Sequence, residues 1–85
     1  MALDIREIQQ GSYYNCNFKI EQMLDVHGRP MNLSDAPLKG IGMYHGSGCI
    51  TGRDVVTEMV EVVDKASNRT FTVGFDDIWN VELQT

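Results

Sequence analysis

From Tyr14 onward, apolar and polar residues alternate. Tyr14, Cys16, Phe18, Ile20, Leu24 and Val26 fall on one face, with a lapse at Gln22, while Asn15, Asn17, Lys19, Glu21 and Asp25 fall on the other. A two-residue period marks a half-buried strand, because successive side chains of an extended chain point to opposite sides. The run predicts a long strand over residues 14–26. His27-Gly28-Arg29-Pro30 ends it, since proline has no N–H to give a ladder and holds φ fixed.

The pattern differs on either side of this strand. Leu3, Ile5 and Ile8, with Asp4 and Glu7 as a capping pair and Gly11 as a stop, predict a short helix over residues 1–10. The stretch to Pro37 reads as a loop. Leu38 to Tyr44 predicts a second strand weakened by Gly40 and Gly42, and Gly46-Ser47-Gly48 predicts another loop. Residues 55–63 fit two periods. Val55, Val56, Met59, Val60 and Val63 make a helical stripe, yet β-branched side chains lose rotamer freedom in helices and favour strands. A polar turn at Asp64–Asn68, then Phe71, Val73 and Phe75 alternating with Thr70, Thr72 and Gly74, resolves the run as a hairpin. A tight turn at Asp76-Asp77-Ile78-Trp79 leads to a last strand with Val81 and Leu83. The fold class is therefore mostly β: a short N-terminal helix, then five strands bent at glycines into a small barrel.

Composition narrows the picture. The 85 residues make a single domain, 1–85. A domain this small leaves much of its apolar surface exposed, and such domains often add disulfides, a metal or self-association to make up the difference. Cys16 and Cys49 allow at most one disulfide. The first ten residues carry Asp4, Arg6 and Glu7 and no apolar core, so reduced thiols and a cytoplasmic setting are the expectation. Asn32-Leu33-Ser34 and Asn68-Arg69-Thr70 match the glycosylation tripeptide and are read as chance. No apolar run is long enough for a membrane span. A net charge of −5 argues against a strongly basic nucleic-acid face.

Candidate chemistry is sparse. Gly40, Gly42, Gly46, Gly48 and Gly52 lack the Gly-Lys-Ser/Thr of a phosphate loop and fit the bends of a barrel better. Cys16, His27, His45 and Cys49 have no zinc-ligand spacing, and no metal or other cofactor is expected. Asp76 and Asp77 read as a solvated turn, with cation binding as the alternative. Ser47 and His45 have no orienting third group, so the expectation is a protein that is not an enzyme. Tyr44, His45 and Arg53 flank the glycine-rich run and are the candidate nucleotide-stacking and phosphate-pairing residues; the plainer reading is a packed Tyr44 and a solvated Arg53. Met23 and Met59 on the exposed face, and Trp79, read as core or as interface anchors, with interface favoured for Trp79.

The order of elements, with the loop around His27-Gly28-Arg29 and the brief turn into a last short strand, resembles the Sm-like family of small barrels; SH3-like barrels share much of it. The resemblance covers Leu3 to Gln84. It implies a homo-oligomeric ring in which the fourth strand of one subunit pairs with the fifth of the next, through Phe71, Val73 and Phe75 on one side and Trp79, Val81 and Leu83 on the other. It also implies RNA bound at two loops. The chain has Asp76-Asp77 where the family has Arg-Gly, and His45-Gly46-Ser47-Gly48 in place of its Asp-x-x-x-Asn, so carboxylates stand where phosphate needs a cation. Two functions follow: a ring-forming binding protein that takes RNA, or an adaptor that assembles by protein–protein contact alone.

Overall fold

The computed structural model describes residues 3–9, 11–31 and 38–84. Their order is β1 (Tyr14–Asp25), β2 (Leu38–Asp54), β3 (Met59–Asp64), β4 (Thr70–Gly74) and β5 (Ile78–Leu83), all in one antiparallel sheet ordered β4-β3-β2-β1-β5. The mostly β expectation holds. The sheet is open: β4 and β5 are its two edges and do not pair with each other. It nevertheless curls hard. In a flat sheet β1 and β4 stand three spacings apart, about 14 Å, yet the Phe18 and Phe71 rings on them are 5.7 Å apart. That curl encloses the core, in which Phe18, Val60, Val62, Phe71, Val73, Phe75 and Val81 are buried together with Tyr14 and Cys16.

The alternation in β1 is realised: Tyr14, Cys16, Phe18 and Leu24 are buried. Val26, expected on that face, lies in the turn beyond the strand and is exposed. There the Asp25 carboxylate accepts from the His27 and Arg29 amides (2.9 and 3.0 Å) and from Arg29 Nε (3.2 Å), and these bonds, the Arg29 amide first, hold its pKa below the ordinary value. The loop reading from residue 32 to Pro37, with the Asn32-Leu33-Ser34 tripeptide, lies outside the described residues.

Three expectations are corrected. The N-terminal helix is a single 3-10 turn, Ile5–Glu7, capped by Asp4 accepting from the Arg6 amide at 2.9 Å; Leu3 is instead bridged to Val81. The Gly46-Ser47-Gly48 loop is strand: β2 runs 17 residues without a break. Glycine is needed there for close approach, not for a turn. A Cβ on Gly46 would stand 2.8 Å from both Asp64 Oδ1 and Phe18 Cζ, and one on Gly48 would overlap the Val63 carbonyl on β3. Finally, β3 begins at Met59 and not at Val55. Asp54 Oδ1 accepts from the amides of Val56 (3.0 Å) and Thr57 (3.4 Å), making an Asx turn that leaves Val55 and Val56 exposed. Met23 and Met59 are half-buried rather than exposed.

Long β2 is shared: its first part pairs with β1 as far as Ile50, and its second pairs with β3 from Gly48. The register shift between Ile50 and Gly52 leaves Thr51 as an extra residue and bends the strand, as bulges do. Beyond Phe18, β1 has no β5 partner; the β1–β2 ladder runs on from Lys19↔His45 to Asp25↔Leu38, with Pro30 bridged to Leu24 and the Met31 amide donating to the Met23 carbonyl along its far end. No helix among the described residues is long and apolar enough to cross a membrane.

Candidate functional site

The feature with the clearest chemical capacity is the outer edge of β4. The hairpin that presents it is closed by Asp64 N donating to Arg69 O (2.8 Å) and Asn68 N to Asp64 O (2.8 Å), with Asn68 at φ 59, a conformation asparagine tolerates better than most residues. At the other end Phe75 N donates to Glu58 O at 3.0 Å. Antiparallel ladders alternate hydrogen-bonded with non-bonded pairs. Asp64–Arg69 and Glu58–Phe75 are bonded pairs, so Val62–Phe71 and Val60–Val73 are bonded too. The N–H and C=O of Thr70, Thr72 and Gly74 consequently point away from β3, and no other backbone group among the described residues meets them. No charged residue and no proline lies between Thr70 and Phe75, the usual guards of an edge.

The β5 edge is built otherwise. Gln84 N donates to Tyr13 O at 2.8 Å, which makes Glu82–Asn15 the next bonded pair and turns Val81 and Leu83 outward. Leu3 N donates to Val81 O at 2.7 Å, covering that position. Asn80, at φ 54, sits where β5 has two residues (Asn80 and Val81) between paired positions against one of β1 (Cys16), so the edge is bent.

The N-terminal segment that supplies Leu3 is pinned by Arg53, whose Nη1 donates to the carbonyls of Ile5 (2.9 Å) and Ile8 (3.1 Å). Ile5 is buried below it, and Arg6 lies 5.0 Å over the Phe75 ring while pairing with Glu58 at 2.5 Å.

The residues singled out from sequence are therefore distributed. Of the interface set, Phe71, Val73, Phe75 and Val81 have buried side chains, whereas Trp79 and Leu83 are exposed at 42% and 53%. Tyr44 and His45 line one groove of about 540 Å³ with Asn17, Ser47, Lys65 and Trp79. Arg53 lines a different one, beside Ile8 and Tyr14. In the first groove the His45 and Trp79 rings are 6.3 Å apart and edge-on, and Lys19 is the cross-strand partner of His45.

The Tyr44 ring also packs against the core cluster. Its hydroxyl donates to Asp64 Oδ2 at 2.6 Å, where the Ser67 hydroxyl (2.7 Å) and amide (3.2 Å) also donate. Burial and then the Asp64 hydrogen bond push the Tyr44 pKa up from 10.0 to about 12. Asp64 itself is fully buried, with Oδ1 unpartnered. Sequence reading missed this carboxylate, although its place two residues after Val62 and four after Val60 set it on the inward face of β3.

The remaining candidates do not converge. Asp76 is exposed and Asp77 half-buried on the 3-10 turn Phe75–Asp77. Among the described residues no group of three or more His, Cys, Asp or Glu side chains is placed to hold a metal ion. Cys16 and Cys49 are free, and burial, followed by the neighbouring Cys49, pushes the Cys16 thiol up to about 11. No family model, curated protein or solved structure matches the chain.

Proposed function

We propose that this chain is a non-enzymatic binding module that acts by assembling with copies of itself through the open edge of its sheet. The observation behind this reading is the row of outward backbone groups on Thr70, Thr72 and Gly74, with no charge or proline to guard it. Unpaired strand edges recruit other strands unless something prevents it. The tight curl, with Phe18 against Phe71 across the sheet, supports a small-barrel relative such as the Sm-like type, in which neighbouring subunits complete the edges.

The test is the solution mass. Light scattering from micromolar to millimolar concentration is expected to give a mass above the 9.6 kDa monomer. A constant monomer mass over that range would remove the reading.

A second reading, single-stranded RNA on the outer face, rests on exposed Trp79 set edge-on to His45 in a groove that includes Lys65. Aromatic faces of this kind stack on bases, and nearby lysines meet phosphate. A filter-binding salt series should show affinity falling steeply with salt, and falling further in Trp79→Ala. Salt-independent retention, or none, would leave assembly as the only role proposed.

A further inference from the structure

We infer that assembly begins as an antiparallel β4–β4 pairing of two copies about a two-fold axis centred on Thr72. This rests on the assembly reading above and specifies its geometry. The β5 edge is the poorer acceptor, since Leu3 already bonds the Val81 carbonyl and Asn80 breaks the line of the strand. A neighbour's β4 could pair there only after Leu3 had left. The β4 edge is self-complementary instead. Its outward residues are evenly spaced at 70, 72 and 74, so a two-fold at Thr72 sets Thr72 against its own copy as a hydrogen-bonded pair. Thr70 then faces Gly74 of the second copy, twice over. An interface of this kind uses one patch on both subunits and closes at two.

Charge supports the same register. Beyond the strand the chain turns at Asn68 (φ 59) and in the 3-10 turn Phe75–Asp77, so Arg69 of each copy comes near the turn of the other that carries Asp76 and Asp77 and does not enter a ladder pair with it. Within one copy the Arg69 guanidinium lies 5.7 Å over the Phe71 ring with Nη1 buried and without a hydrogen-bond partner, and among the described residues neither Arg69 nor these carboxylates enters an ion pair. Pairing brings the opposite charges together at both ends of the shared ladder. No like-charged side chains face each other at its centre, because Thr70 and Thr72 are neutral.

Thiol cross-linking tests the geometry. Directly opposed residues of a hydrogen-bonded antiparallel pair have Cα atoms about 5.5 Å apart and Cβ atoms near the upper end of the roughly 4.5–5.5 Å range, wider than the roughly 3.5–4.5 Å a direct disulfide prefers, so the two thiols are joined through a bis-thiosulfonate reagent with a one-carbon spacer. Thr72→Cys, made in a Cys49→Ser background, places an exposed thiol against its own copy; Thr70→Cys places one against a glycine. With that reagent, Thr72→Cys is expected to convert most of the protein to a covalent two-chain species on a non-reducing gel, while Thr70→Cys stays mainly single-chain. If light scattering shows assembly but Thr72→Cys does not cross-link, or the mass exceeds two chains, the two-fold pairing is overturned and the assembly reading survives. If no assembly is seen at all, both fall.

Discussion

Strands β4 and β5 occupy equivalent places at the two ends of one sheet, yet β5 has Leu3 bonded to its Val81 carbonyl, a left-handed Asn80 in its middle and Glu82 along it, whereas β4 presents Thr70, Thr72 and Gly74 with none of these. Two of the guards of β5 come from far away in the chain: the Leu3 amide that covers it, and the arginine at 53 that pins that segment. An edge is thus protected by what folds back over it as much as by its own residues. Among the described residues no backbone group folds back over β4, and its outward amides are left to water or to another chain.

Neighbouring positions on β4 should behave oppositely, and the largest effect is expected at Val73. Its N–H points into the ladder with Val60 and its side chain into the core. Val73→Pro should therefore cost about 3 kcal/mol or more, seen as a lost or strongly lowered thermal transition. Thr72→Pro removes an outward donor only, and Phe71 before it is already extended as proline requires. It should fold within about 1 kcal/mol of the parent while losing the assembled mass. If both prolines unfold the chain, or neither does, the assignment of inward and outward amides is wrong.

A smaller effect is expected on the guarded side. Arg53→Met removes two hydrogen bonds from a charged donor to the Ile5 and Ile8 carbonyls. Because Arg53 is exposed, the loss should be about 1–2 kcal/mol, with faster amide exchange at Leu3 and Ile5 and little change at Val60. Unaltered exchange at Leu3 would mean that Arg53 does not pin the segment.

The pH effects are smaller still. Tyr44 has a folded pKa raised from 10.0 to about 12, so its contribution is fully present below about 10 and is lost as pH rises towards 12. Tyr44→Phe should lack that alkaline loss while being roughly 1 kcal/mol less stable near neutrality. Asp25 runs the other way. Its carboxyl is held below 3.8, so the bonds it makes at the end of β1 persist above that value and are lost as pH falls through the lower folded one. An NMR titration that placed Asp25 at or above the ordinary value would contradict its bonds to the His27 and Arg29 amides.

Much of this architecture was legible in the residues, and the failures have a physical pattern. Alternation gave β1, the β3–β4 hairpin and the final strand, because each buries one face. It failed at Gly46 and Gly48, which look like loop residues until Asp64, Phe18 and the Val63 carbonyl are seen where their side chains would stand. It failed at Val55 and Val56, where the Asp54 turn exposes a hydrophobic pair that composition alone assigns to a strand. The open β4 edge was readable as a run without charge or proline. The cover on β5 was not, since it joins residues 3 and 81, and pairing at that separation leaves no local signal. Arg53 looked like a solvated or phosphate-pairing cation for the same reason.

Backbone amide hydrogen exchange as a function of protein concentration tests the central claim most directly. At low concentration the amides of Thr70, Thr72 and Gly74 should exchange nearly as fast as free peptide, and those of Phe71 and Val73 slowly. As concentration rises to millimolar, the three outward amides should become protected, with Leu83 on the other edge unchanged. If Thr70, Thr72 and Gly74 still exchange freely at millimolar concentration, the β4 edge is not where this protein meets its partner.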